Sequence, residues 1–277
     1  MSELTYAKSL LLGAVQGLTE FLPVSSSAHL ALAQDWMRLE PDSLPMHVFD
    51  GIVHLGTTIA VFIVFAQSFR EYALRLIAEL RPSWPHRRYA LRIAFLGMAA
   101  SIPTAIIGLA FQKEFEREFG DPFWSGAGLL ITGALLLVTV WVPRGRRGWR
   151  TFTWWQAAIV GTAQGVSISP GISRSGATIC AAAMCGLRRR WAAEFSFFIA
   201  TPAILGATAI KLKEALAEHA SEAAVIAWWP TFAGGVVSIV VGVTSLRLLL
   251  SAVRRAKLHY FTVYCWLLGG LVVANVL

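Results

Sequence analysis

Two stretches half a chain apart share one pattern, and that pattern restricts what the chain can fold into. Residues 14–30 read AVQGLTEFLPVSSSAHL and residues 162–178 read TAQGVSISPGISRSGAT. A shift of 148 positions lays Gln164 and Gly165 on Gln16 and Gly17, Ser167 on Thr19, Ile172 on Val24, Ser173 on Ser25 and Ser175 on Ser27. Arg174 then falls on Ser26. Each stretch breaks an apolar run with a Pro/Ser-rich turn, and a repeat of broken apolar runs marks an internally duplicated membrane protein.

The composition agrees. Of 277 residues, 56% are hydrophobic and only 14% charged, against about 25% charged in a soluble domain. Apolar runs of roughly 20 residues recur along the whole length. One integral membrane domain is expected over 1–277, with repeat one at 1–145 and repeat two at 152–277. The segment MSELTYAK carries an acid and no basic n-region, so no cleavable signal peptide is expected. The net charge of +8 comes from basic residues in short loops between apolar runs. Membrane topology explains them, and nucleic acid is not an expected partner. Cys180, Cys185 and Cys265 lie in apolar segments without metal or redox spacing and read as small buried hydrophobes.

Residues 4–34 and 152–187 each hold two apolar pieces too short to cross a bilayer alone, and each is expected to form a re-entrant helical hairpin. Full crossings are expected at 48–67, 90–111, 123–142, 191–210, 224–247 and 259–277. The linker 35–47, the charged QKEFEREFGDP and the segment 211–223 read as loops, and part of 68–89 as an amphipathic interfacial helix. Placing the arginine-rich loops at 68–89, 143–151, 188–190 and 251–258 on the cytoplasmic side puts the other three loops and both termini outside. Each half has an odd number of crossings, so the halves are inserted upside down relative to one another. The expected fold is an all-α polytopic membrane protein of two inverted-topology repeats, each a re-entrant hairpin plus three transmembrane helices, with the two serine turns meeting near the midplane in one site.

Polar groups at that depth need a reason. Gln16 and Glu20 are four apart and share a helix face, and a carboxylate in hydrocarbon costs several kcal/mol unless it faces a partner or water. Ser25, Ser26 and Ser27 follow a Pro-led turn and are expected to begin a helix, where free amides favour an anion. His29 stands one turn after Ser26. Ser26, His29 and Glu20 fit the roles of nucleophile, proton-transfer group and carboxylate partner. In the second stretch Arg174 offers a guanidinium, with hydroxyls at Ser173, Ser175 and Thr178 around it, suited to a phosphate. Together these residues point to a phosphate ester or anhydride handled at membrane depth.

The two motifs resemble the undecaprenyl-diphosphate phosphatases of the bacterial bacitracin-resistance type, and the resemblance runs nearly end to end. It rests on QGLTEFLPVSSSAHL and PGISRSGAT. Gln16 and Glu20 match the family's acidic pair, Ser25, Ser26 and His29 its Ser-Ser-to-His motif, and Pro170 to Thr178 its second motif. Gln16 stands where Glu is frequent, and Ser27 and Ala28 where Thr and Gly are common. The resemblance implies hydrolysis of undecaprenyl diphosphate to the monophosphate on the outer face of the bacterial inner membrane. It also implies recycling of the lipid carrier for cell-wall synthesis, bacitracin resistance, and help from a divalent cation, Mg2+ or Ca2+, on Glu20.

On that reading Glu20, Ser26, His29 and Arg174 are catalytic, while Gln16, Ser25, Ser27, Ser173, Ser175 and Thr178 bind substrate. Glu20 orients His29, and His29 as the direct nucleophile stays open. The expected partners are the lipid diphosphate and membrane lipid, with a homodimer left open. The rival function is an anion or lipid-phosphate transporter or flippase, which shares the architecture but releases no phosphate. Asp50 and His54 read as a loop-edge acid and a satisfied buried His, with Asp50 near enough to line the site. Trp141, Trp149, Trp154, Trp155, Trp228 and Trp229 read as an interfacial belt.

Overall fold

The computed structural model describes residues 4–41, 43–80, 88–119, 121–218 and 226–276. Among them the chain forms twelve helices: α1 Tyr6–Thr19, α2 Ser26–Trp36, α3 Leu44–Val64, α4 Ala66–Glu79, α5 Tyr89–Ala110, α6 Gln112–Phe119, α7 Pro122–Val138, α8 Trp154–Val166, α9 Arg174–Met184, α10 Arg189–Glu218, α11 Trp228–Arg254 and α12 Tyr260–Val273. A bridge between Arg147 and Leu187 is the one β contact among these residues. Four helices, α3, α5, Arg189–Ile210 of α10, and α11, are long and apolar enough to cross a bilayer. The protein is a multi-pass, all-α membrane protein.

The 148-residue register persists in the helix bounds. It carries the start of α1 onto that of α8, and both ends of α2 onto those of α9. Two expected crossings are shorter than a full span, since α7 has 17 residues and α12 has 14. The segment QKEFEREF, expected as a loop, is helix α6: Glu114 in its first turn and Arg117 in its last complement the helix dipole. Likewise α10 runs on through KLKEALAE, where a loop was expected. Residues 219–223 of that loop, and 81–87 of the basic segment, lie outside the described residues.

The chain divides into two compact units, Met1–Val64 with Thr201–Leu249, and Phe65–Ala200 with Leu250–Leu277. In the first, α1 lies against α11 at contact distance, because Gly13 and Gly17 present no side chain: a Cβ at Gly13 would run into the Gly234 backbone and one at Gly17 into that of Ser238. Ser245 Oγ donates to the Leu18 carbonyl at 2.6 Å and Ser9 Oγ to that of Pro230, tying α1 to α11 by hydroxyls rather than by apolar bulk. Ser238 of α11 reaches α3 at the Val53 carbonyl, 3.0 Å. Leu12, Leu30, Met46, Phe49 and Val53 form the apolar core between α1, α2 and α3.

The second unit repeats this arrangement. There α8 lies against α5, Gly161 meeting the Ala100 backbone and Gly165 the Ile107 side chain. Thr104 Oγ1 donates to the Gly161 carbonyl at 2.8 Å. Gly13 and Gly161, like Gly17 and Gly165, are 148 apart in sequence. Each hairpin thus packs through the same two glycines on a long helix from the other half of the sequence. Elsewhere in this unit Glu79 Oε1 accepts from the amides of Tyr89 and Ala90 (2.8 and 2.9 Å) and Oε2 from Leu91 (3.0 Å), so the last turn of α4 caps α5.

Gly161→Ala is expected to push α8 away from α5 and destabilise the protein by about 1–3 kcal/mol. Gly206→Ala on α10, where an added Cβ meets nothing within 4 Å, is expected to leave the melting temperature unchanged or slightly raised. Thermal unfolding of both variants in detergent reads the contrast, and equal melting would refute the close approach.

Candidate active site

The first hairpin assembles its polar groups around one carboxylate. Helix α1 stops before Pro23, and Glu20, its C-cap, keeps the helical bond to the Gln16 carbonyl. One turn of helix brings the two side chains onto one face, where Gln16 Nε2 donates to Glu20 Oε2 at 2.9 Å. Across the turn, Ser26 opens α2 and its hydroxyl donates to the same oxygen at 2.6 Å, the length of a charge-assisted bond. Gln16 is fully buried and Glu20 is 6% exposed.

The turn itself is strained. Ser25 precedes α2 with φ of +66°, in the left-handed region that side chains avoid. Its hydroxyl makes no cap bond to α2 and lies 3.2 Å from that of Ser27. The first turn of α2 therefore has no cap from that side chain, an arrangement that suits an anion. His29 Nδ1 is 2.7 Å from the Ser25 carbonyl. A carbonyl only accepts, so Nδ1 carries the hydrogen and Nε2 is the basic nitrogen. Glu20 thus takes the Ser26 hydroxyl directly, and the Ser25 carbonyl holds His29 Nδ1.

A second imidazole belongs to this cluster. His54 of α3 holds its Nδ1 2.7 Å from the Asp50 carbonyl, by the same logic a donor, and places Nε2 3.9 Å from Glu20 Oε2. Asp50 Oδ1 in turn accepts from Gln34 Nε2 of α2 at 2.9 Å, fastening α2 to α3. The i, i+4 spacing of Asp50 and His54 was the sequence signal. That His54 turns its free nitrogen toward Glu20 depends on how α3 packs beside α1, which no local pattern encodes.

The second hairpin has the same skeleton with different chemistry. Ser173 caps α9, accepting from Gly176 N at 3.2 Å, and its hydroxyl lies 3.2 Å from that of Ser175, the pair that corresponds to Ser25 and Ser27. Gly171 takes φ of +80°. Arg174 is the first residue of α9, and Thr178, one turn on and fully buried, binds the Arg174 carbonyl (2.7 Å) and lies 2.5 Å from Ser196 Oγ. Thr132 of α7 holds this turn: its hydroxyl donates to the Gly171 carbonyl at 3.0 Å and accepts from Ser173 N at 2.9 Å. A lone Thr in an apolar run gave no sign of this.

The donor set can be weighed for a metal. No group of three or more His, Cys, Asp and Glu gathers into a metal site among the described residues. Gln16 Oε1, however, is buried without a partner beside the Glu20 carboxylate. An orphaned amide oxygen next to a carboxylate is the donor chemistry of a hard cation that takes its remaining ligands from substrate oxygens and water.

Fold and site define an integral membrane protein whose two broken hairpins carry polar groups, an acid–hydroxyl–imidazole cluster around a buried carboxylate in one and a half-buried arginine in the other. Comparison with known proteins gives this class a family. The model of the bacitracin resistance protein BacA matches residues 9–271, and the chain belongs to that family. It is 41% identical over 268 residues to the undecaprenyl-diphosphatase of Syntrophotalea carbinolica, covering 97% of this chain and 98% of that one. It is also 41% identical over 276 residues to that of Desulfatibacillum aliphaticivorans (96% and 97%) and 39% over 272 residues to that of Rubrobacter xylanophilus (98% of each).

Thr132→Val is expected to leave Ser173 N and the Gly171 carbonyl unpaired, lowering stability by about 1–3 kcal/mol. Thr132→Ser, which keeps the hydroxyl, is expected to melt with the wild type; equal melting of the Val variant would contradict the bracing role.

Proposed function

We propose that this chain hydrolyses undecaprenyl diphosphate to undecaprenyl phosphate and inorganic phosphate, and so recycles the lipid carrier of cell-wall synthesis and confers bacitracin resistance. The observation that carries the chemistry is the 2.6 Å hydrogen bond from Ser26 to Glu20. A serine hydroxyl needs a base to attack phosphorus, and a buried carboxylate already bonded to its proton supplies one.

Ser26 Oγ attacks the terminal phosphorus. The new O–P bond forms as the bridging P–O bond breaks, undecaprenyl phosphate leaves, and the hydroxyl proton passes to Glu20. Water then attacks the phosphoserine, its proton taken by Nε2 of His29; the Oγ–P bond breaks, Glu20 returns its proton to the Ser26 oxygen, and inorganic phosphate departs. The first turn of α2, with Ser25 and Ser27, receives phosphoryl oxygens, and His54 lines the site beside Glu20. In the second hairpin Arg174 is assigned bidentate binding of a phosphate, with Ser173 and Ser175 around it and Thr178 securing the turn of α9 that carries it. A divalent cation, Mg2+ or Ca2+, is assigned to Glu20 and the unpaired Gln16 Oε1; when bound it supplies neutralising charge to the transferring phosphoryl group.

The same reading makes the chain a pair of inverted repeats with re-entrant hairpins, in the bacterial inner membrane, its site opening to the outer face. The exchange of packing partners supports it, since α1 rests on α11 and α8 on α5 through glycines related by the 148-residue shift. The segregation of arginine loops supports the orientation.

The test is phosphate release from undecaprenyl diphosphate by the purified protein in detergent, with and without Mg2+ or Ca2+. Glu20→Gln and Ser26→Ala are expected to lower the rate by about a hundredfold or more, and Arg174→Ala by a similar factor. His54→Gln is expected to fall between these variants and the wild type. No release by folded wild type with any cation would overturn the enzyme and favour the transporter.

A further inference from the structure

We propose that a cavity at one end of α4, α5 and α10 binds a single membrane phospholipid whose head carries both a phosphate and an ammonium group. The cavity measures about 200 Å3 and lies wholly within the second unit, among residues with no part in the phosphatase chemistry. Its floor is apolar and buried: Phe65, Ile93, Trp149 and Phe197 are each less than a tenth exposed. Its rim is charged, with Glu71 and Arg75 from α4 facing the opening alongside Arg190 and Glu194 from α10.

The walls are fixed before any ligand arrives. Glu79 ties α4 to the first turn of α5 through three amide bonds. Arg92 of α5 donates to the carbonyls of Trp149 (3.0 Å) and Phe152 (2.9 Å), which seats the 149–152 segment. Trp149 packs edge-on against Trp191 and Phe195 of α10, with centroids 5.4 and 5.6 Å apart. A cavity stapled on each side does not have to be organised by its ligand, which keeps the entropic cost of binding low.

Three features select the ligand. Tyr89 is the first residue of α5 and Arg190 the second of α10, so the opening lies at the ends of two spanning helices, the depth of lipid headgroups. An aromatic floor below a charged rim suits an amphiphile and is wasted on a soluble ion. The rim holds two arginines and two carboxylates. Arg190 Nε is bonded to Glu194 at 2.8 Å, and Arg75 lies over the Tyr89 ring at 5.3 Å. A wholly anionic head would set its charge against both carboxylates, whereas a zwitterion places phosphate on arginine and ammonium on glutamate.

The experiment uses native mass spectrometry on the intact protein in detergent. Phosphatidylethanolamine and phosphatidylglycerol are added singly, to wild type, to the double variant Glu71→Ala/Arg75→Ala and to Ser68→Trp, which fills the cavity from the surface helix α4. Wild type is expected to retain one phosphatidylethanolamine about tenfold more tightly than phosphatidylglycerol. Both variants are expected to lose that preference while keeping the wild-type melting temperature and phosphate release. Equal phosphatidylethanolamine retention in wild type and both folded variants would overturn the site. Retention of phosphatidylglycerol as tight as that of phosphatidylethanolamine would overturn the zwitterionic head.

Discussion

A buried carboxylate inside a membrane protein organises this molecule. Glu20 is 6% exposed, and an ionised group removed from water is tolerated only when hydrogen bonds and charge replace the lost hydration. Gln16 and Ser26 supply two of those bonds to one oxygen, and His54 stands at 3.9 Å from it. These partners come from α1, α2 and α3, so the carboxylate's needs fix how the broken helix returns and which face α3 turns to it. The same bond that settles the charge directs the carboxylate at the hydroxyl proton. Stability and chemistry are set by one contact.

The surroundings are built to bring backbones close. Gly13 and Gly17 let α1 lie on α11, and Gly161 and Gly165 let α8 lie on α5. Without a hydrophobic force between helices in lipid, such close contact and hydroxyl-to-carbonyl bonds hold helices together. Ser245 on Leu18 and Thr104 on Gly161 are examples. Short broken helices need this support, because neither arm of either hairpin is long enough to span alone.

Much of this was legible in the sequence because it is local or periodic. The 148-residue shift between the two motifs reappears in matching helix bounds, and the i, i+4 spacing of Gln16 and Glu20 put both on one helix face. What stayed hidden depends on tertiary packing. His54 and Gln34 join the cluster only because α2 and α3 pack together, and Thr132 braces Ser173 from 41 residues away. The contact of His29 Nδ1 with the Ser25 carbonyl depends on the strained Ser25 backbone, which no sequence pattern shows. Helix α6 was missed because its charge suggested a loop, although its residues are good helix formers.

The central claim is that Glu20 activates Ser26 as the nucleophile. It is tested most directly by mixing the protein with undecaprenyl diphosphate labelled at its terminal phosphorus, quenching under conditions that preserve both phosphoserine and phosphohistidine, and mapping the label. The account predicts a transient phosphoserine at Ser26, absent in Ser26→Ala and Glu20→Gln and accumulating in His29→Ala, where water attack is slowed. Label on His29, or wild-type turnover by Ser26→Ala, would contradict it.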